Sequence, residues 1–348
     1  NPILNDYSNS RSQIYEMVGD VRIHGKSSTI WAASDREESI RSWTAKPHPR
    51  LFDGQAMSSV TEINITMNYV NLLPKCTRYF HVPTIVFSAG GYSYHTYHGI
   101  ADAIAPLYFT CNEFNGSVML QLLDAKPWWI SRYRQIFRKL SNYDTVGLAE
   151  ENGVHCFSRV IVGLDADDKV LRSGPKHFTN HTMTDFTRFI RNTYSLERHV
   201  VGKQHDPHRL LIVSRKKTRF LLNQDEIAET CGRIGFEVET SEIEGDDLNS
   251  IARYINSFDV IVGVHGAGLT NMIFLPENAL VIQIIPYGLR DRATLTYGAP
   301  ATDMNLKYFE QEISWEESSL SSQYSKDDQV YIDPAGIKVE KIFRSIYL

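Results

Sequence analysis

The stretch DVIVGVHGAGLTNMIFLPENALVIQIIP, residues 259–286, decides the fold. DVIVGV is an almost unbroken apolar run of strand length, as expected of a strand covered on both faces. HGAGLTNMIF reads as a glycine turn entering a short helix, and ALVIQIIP as the next strand. Toward the N-terminus, RLLIVSR (209–215) is another such strand. A helix from about Asn223 follows, then the strand FEVETSE (236–242), then a helix with Leu248, Ile251, Ala252 and Ile255 on one face and Asp246 or Asp247 as its cap. Apolar strands alternating with amphipathic helices predict a parallel sheet and a Rossmann-like half.

Further upstream, VGDVRIH (18–24) and SSVTEINITMNYV (58–70) read as half-buried strands. A second α/β unit follows: the strand PTIVFSA, the turn GGY, a helix from Ser93 to about Glu113, the strand SVMLQLL and the helix KPWWISRYRQIFRKL. TDFTRFIRNTYSL (184–196) is helical, and the polar, proline-containing HVVGKQHDPH (199–208) suits an interdomain linker. The expected organisation is an α/β domain with a β-rich leader over 1–204, a Rossmann-like domain over 205–333, and a helical tail over 334–348 packing back on the first domain.

A chain of 348 residues suits two domains of ordinary size. Its 42% apolar and 22% charged residues are those of a globular protein, and a net charge of −5 argues against nucleic acid or an anionic membrane as partner. No apolar run is long enough to span a bilayer, and the first residues are polar. Sequons at Asn64, Asn115 and Asn180 suit a secretory-pathway protein. Cys76, Cys111, Cys156 and Cys231 are widely spaced, without a Cys-x-x-Cys pair; one or two disulfides and buried free thiols both fit.

At about 100° per residue, His95, His98 and Asp102 fall within an arc of about 60° on their helix, opposite Ile100, Ala101, Ile104 and Tyr108. His98 and Asp102 are four residues apart, so the carboxylate can orient the imidazole and stabilise its protonated form, as a base that removes a hydroxyl proton requires. A solvated polar face gives the same spacing; zinc would need a further ligand that the sequence does not show. Ser214, Arg215, Lys216, Lys217 and Arg219 crowd the carboxyl end of RLLIVSR, and His265, Gly266, Ala267 and Gly268 that of DVIVGV, with Thr270 and Asn271 beyond. Strand carboxyl ends line the ligand crevice of such a sheet, and a glycine turn brings backbone N–H groups against phosphate. Together they describe a diphosphate site, although glycine packing and a solvated basic loop explain each part alone. Asp165-Ala166-Asp167-Asp168, between RVIVGL and KVLRSG, reads as a polar hairpin turn rather than a metal-holding run. Trp128 and Trp129 could stack on sugar faces beside Tyr92 and Tyr94, with one tryptophan expected in the core.

These residues resemble the plant members of glycosyltransferase family 61, which include xylan arabinosyl- and xylosyltransferases. The resemblance runs through GDVRIH, GGY followed by His98 and Asp102, KPWWISRYR, LLIVSRKKTRFLLNQDEI, NSFDVIVGVHGAGLTNMIFLP and YIDPAGI. It implies a GT-B fold of two Rossmann-like domains facing a cleft, and inverting, metal-independent transfer with no cofactor. It also implies a UDP-pentose in the C-terminal domain, a xylan-type acceptor, and a Golgi type II protein whose anchor lies outside this chain. His98 and Asp102 fall in the family's catalytic-helix motif, Arg215 and Gly266 to Gly268 at its donor phosphates. This chain departs from the pattern in having Tyr94-His95 where the family has Gly-Asn, and Gly99 where it has Asp. GlcNAc or xylose transfer to a protein or N-glycan, and a non-catalytic polysaccharide-binding scaffold, are the rival expectations.

Overall fold

The computed structural model describes residues 2–35, 40–173, 176–202, 207–215, 219–243 and 245–334. It divides into two compact units, Asn1–His181 and Thr182–Leu348. This boundary lies upstream of the expected 204/205, because the helix Met183–Thr193 belongs to the second unit. A Thr182–Asp185 capping box starts it, and it buries Met183, Phe186 and Ile190. Thr184 Oγ1 donates to Asp303 O at 3.0 Å, and Arg191 reaches Leu275 O at 3.2 Å and Glu277 at 2.9 Å. The supposed linker starts inside the same unit: Val201 N donates to Glu277 O, and Glu277 N to His199 O, both at 2.8 Å. Residues 335–348, and so the expected helical tail, lie outside the described residues. No helix among the described residues is long and apolar enough to cross a membrane.

The first unit is built on a mixed sheet of β1 (Ile3–Asp6), β2 (Tyr15–His24), β3 (Thr29–Ser34), β4 (Arg41–Ala45), β5 (Ile63–Tyr69), β6 (Arg78–Phe80), β7 (Thr84–Ser88), β8 (Met119–Leu123), β9 (Val146–Gly147) and β10 (Val154–Val162). Its order is β4-β5-β3-β2-β10-β7-β8-β9, with β1 on β2 and β6 on β10. β2 pairs antiparallel with both neighbours, and β10, β7, β8 and β9 run parallel. In β2 and β5 the alternation sends Val21, Ile23, Ile63 and Ile65 to one core with Val86, Leu123 and Val160. β7 and β8 are buried along their whole length, as strands covered on both faces are. Cys76 and Cys156 form a disulfide closing a sequence separation of 80, while Cys111 is buried and free. Cys76→Ser with Cys156→Ser is expected to cost about 2–5 kcal/mol by freeing that loop in the unfolded chain. A urea midpoint equal to the parent's would contradict it.

The second unit holds β11 (Arg209–Val213), β12 (Glu237–Ser241), β13 (Val260–Val264), β14 (Leu280–Ile285) and β15 (Lys307–Glu312). All neighbours pair parallel, in the order β12-β11-β13-β14-β15. Asn223 stands at the N-cap of the helix Gln224–Arg233, and Asp247 caps Leu248–Asn256 by accepting from Asn249 N. Strand order reverses between β11 and β13, and the carboxyl ends of these two strands are where such sheets open a crevice. β15 is an edge strand whose residues are alternately exposed and half-buried.

Candidate active site

In the first unit, GGY turns the chain out of β7 into a helix that is not continuous. A short turn, Thr96–His98, passes into a π-helical stretch, Gly99–Ile104, and then into the α-helix Ala105–Cys111. Pro106 explains the break: it has no N–H for the carbonyl four residues back and its ring crowds that carbonyl. Ala105 N instead donates to Ile100 O, five residues back. Gly99 is fixed by close approach, since a Cβ there would lie 2.6 Å from the Tyr133 hydroxyl oxygen and 2.8 Å from Ser93 O. The Asp of the family pattern does not fit this backbone without displacing Tyr133.

His98 Nδ1 lies 2.8 Å from Asp102 Oδ2, as the spacing predicts. The rival reading, a solvated polar face, does not hold for Asp102, which is 0% exposed. Arg11, itself buried, donates from Nη2 to Asp102 Oδ1 at 2.7 Å, and Arg50 Nη1 lies 3.4 Å from Oδ2. Arg50 is held in turn by Asp53 at 2.7 Å and stacks on Phe52 and Tyr92. Burial alone would raise the Asp102 pKa. The hydrogen bond from His98 and the charges of Arg11 and Arg50 outweigh it and hold the carboxyl below its ordinary range. An ionised carboxylate accepting from Nδ1–H leaves the lone pair of His98 on Nε2.

His95 is exposed, its ring 5.8 Å from that of His98, and Tyr92 and Tyr97 flank His98 at 5.4 and 5.1 Å. Tyr94 and the exposed Trp128 face each other at 5.4 Å, with Lys126 over Tyr94 at 4.9 Å. The tryptophan expected in the core is Trp129: 1% exposed, it donates from Nε1 to Ser93 O, which corrects its place among the sugar-stacking candidates. The hairpin reading of residues 165–168 fails too, since no strand forms over the described part of KVLRSG. Asp165 is buried and accepts from the backbone of His177 and Phe178. Asp167 accepts from Lys169 N and Asp168 from Ser10, so these carboxylates fasten a loop. Among the described residues, Asp20, Cys76 and Cys156 are the one group with metal-ligand spacing, and its cysteines are already joined.

In the second unit, the Arg215 guanidinium occupies the space a side chain at 266 would need: a Cβ on Gly266 would lie 1.9 Å from Arg215 Nη1. Glycine here therefore brings the two strand ends together. Burial lowers the pKa of Arg215, and burial with the charge of Arg215 pushes Arg219 down to about 10. His265 is pushed down to about 3, by burial first and then by Arg219, Arg292 and Arg215. Cations that depress one another in a half-buried place are relieved by an anion. Tyr297 donates to Gly266 O at 2.8 Å and packs edge-on against His265. Thr270 and Asn271 are buried and brace the turn, Asn271 donating to Gly268 O at 2.9 Å and Thr270 lying 3.4 Å from the Tyr297 hydroxyl. Lys216 lies outside the described residues. Sequence reasoning missed Arg11 and Arg50 in the first unit and Arg292 and Tyr297 in the second. Arg292 follows β14, so the carboxyl-end rule that marked Arg215 would have marked it.

The profile of the family Glycosyltransferase 61 matches residues 68–282. An alpha-1,3-arabinosyltransferase of Oryza sativa subsp. japonica is 40% identical, over 95% of this chain and 58% of that protein. A beta-1,2-xylosyltransferase of the same plant is 33% identical, over 99% of this chain and 79% of that protein. A xylan glycosyltransferase of Arabidopsis thaliana is 30% identical, over 99% and 74%. This chain thus spans 58% of the arabinosyltransferase and most of the other two. With the family's profile covering the His98–Asp102 pair and the glycine turn alike, the chain belongs to glycosyltransferase family 61.

Proposed function

We propose that the chain is the catalytic part of an inverting glycosyltransferase that moves a pentose, xylose or arabinofuranose, from a UDP-sugar to a xylan-type polysaccharide without a metal. The observation that carries this reading is the buried, ionised Asp102 holding His98 by Nδ1. His98 Nε2 takes the proton of the acceptor hydroxyl as that oxygen attacks the anomeric carbon from the face opposite the nucleotide. Arg215, Arg219 and the amides of the Gly266–Gly268 turn stabilise the charge gathering on the departing diphosphate. Tyr92, Tyr94 and Trp128 offer the faces on which acceptor sugar rings stack. The pentose and the xylan come from what the relatives are named for. The same reading takes the two units as the domains of a GT-B arrangement. The Cys76–Cys156 bond, with exposed sequon asparagines at 64, 115 and 180, favours an oxidising compartment such as the Golgi lumen.

The test is to incubate the chain with xylo-oligosaccharides and UDP-xylose, UDP-arabinofuranose or UDP-GlcNAc, with and without EDTA, and to read products by mass and anomeric configuration. Pentose transfer with inversion in EDTA is expected. Transfer of GlcNAc, retention of configuration, or dependence on a metal each overturns the corresponding part. Arg219→Ala is expected to weaken UDP binding about 10- to 100-fold, the value of a charge-assisted hydrogen bond. An unchanged calorimetric Kd would remove Arg219 from the site.

A further inference from the structure

The anion site has a back wall that its cations do not explain. His265 directly follows β13, is 8% exposed, and its backbone N–H donates to Ile284 O at 2.9 Å. Its Nδ1 lies 2.7 Å from Nε2 of Gln283 on the next strand, and Gln283 is 0% exposed. The Gln283 carbonyl accepts from the Tyr308 hydroxyl on β15 at 2.7 Å. That hydroxyl also lies 2.9 Å from Glu310 Oε2, and Glu310 accepts from Arg290 Nε at 2.9 Å and Thr294 Oγ1 at 2.7 Å. A polar chain thus crosses three adjacent strands, from the end of β13 to the sheet edge.

The chain has a direction. The single proton of the Tyr308 hydroxyl has two acceptors in reach; given to the nearer one, the Gln283 carbonyl, it turns the amide NH2 toward His265, and an NH2 group has protons to give but no lone pair to offer. Nδ1 must therefore accept, and the proton of the neutral ring sits on Nε2, on the side away from Gln283. A second ring proton would set N–H against N–H. We propose that Gln283, oriented by Tyr308, is a positioning residue that fixes His265 as a neutral Nε2–H donor to the donor diphosphate. The proposal rests on the reading of this turn as the diphosphate site. The other groups facing the ring act in the same sense: Arg215, Arg219 and Arg292 disfavour a further charge, and Tyr297 packs against it as a neutral phenol.

The two site histidines are thereby set to opposite tasks by what meets Nδ1. At His98 a carboxylate accepts from Nδ1–H and leaves a basic Nε2. At His265 an amide donates to Nδ1 and leaves an Nε2 that can only donate. A neutral donor at the diphosphate neither takes up a proton when UDP binds nor loses one when it leaves.

Ring nitrogen spectra of the histidine-labelled chain test this, with His265→Phe assigning the signals. One neutral tautomer protonated at Nε2 is expected, unchanged between pH 5 and 8 and by UDP. Tyr308→Phe is expected to lose that single tautomer. Gln283→Glu puts an acceptor at Nδ1, and is expected to move the ring proton from Nε2 to Nδ1, as at His98, and to weaken UDP binding. An Nδ1–H ring or an imidazolium in the parent chain overturns the proposal, whether or not the variants fold. The expected tautomer in a chain to which UDP does not bind leaves the hydrogen-bond chain standing and removes the donor-site reading.

Discussion

His98→Ala is expected to lower transfer by about 10²–10⁴-fold while leaving UDP affinity unchanged, because it removes the proposed proton acceptor and alters no residue of the second unit's proposed anion site. The loss should appear in kcat rather than in KM for the donor. Folding should survive, since Asp102 keeps Arg11 at 2.7 Å and Arg50 at 3.4 Å when the imidazole is gone. Unfolding in urea measures that directly and separates a lost base from a lost fold. His95→Ala makes the control. That ring is exposed and 5.8 Å from His98, so its removal should leave the His98–Asp102 hydrogen bond and most of the activity in place. If His98→Ala retained full transfer, or if His95→Ala proved the more damaging, His98 would not be the base.

The second sheet was legible because β11, β13 and β14 are largely buried and therefore read as apolar runs bounded by turns. β15 was not: KYFEQE at the sheet edge mixes charge with aromatic residues and is alternately exposed. Much of the antiparallel half of the first sheet was missed for a related reason. TIWAAS and RSWTA are short and carry no turn signature that announces pairing with β2 and β5. One helical period fits the residues after GGY throughout, and Pro106 alone does not announce a π-helical stretch. Within the site, the His98–Asp102 pair was legible from a spacing of four. The burial of Asp102 was not, because its partners Arg11 and Arg50 stand 91 and 52 residues away. A buried carboxylate demands a cation, but local spacing cannot name it. The Trp128–Trp129 pair shows the converse: both were marked, and the packing of one helix face separates the exposed ring from the buried one.

Arg11→Met carries the largest expected cost in stability. Methionine fills much of the volume of the arginine stem, so the change removes a charge and five N–H donors rather than opening a large cavity. Those donors serve Asp102 Oδ1 at 2.7 Å, Ala101 O at 2.9 Å, Pro49 O at 3.0 Å and Asp167 O at 3.2 Å. Stripping one partner from a buried ion pair costs about 3–5 kcal/mol, since the remaining charge stays out of water. The pH dependence gives a second reading. The folded Asp102 pKa lies below its unfolded value, so its contribution is present above the unfolded pKa and is lost as the pH falls through the folded one. Removing Arg11 takes away one of the charges that depress it, so the acid limb of unfolding should move to higher pH. Asp102→Leu added to Arg11→Met removes the stranded charge, and should recover much of the stability while leaving transfer abolished. A double variant no more stable than Arg11→Met would show that the cost lies in the carbonyls of Pro49, Ala101 and Asp167 rather than in the carboxylate.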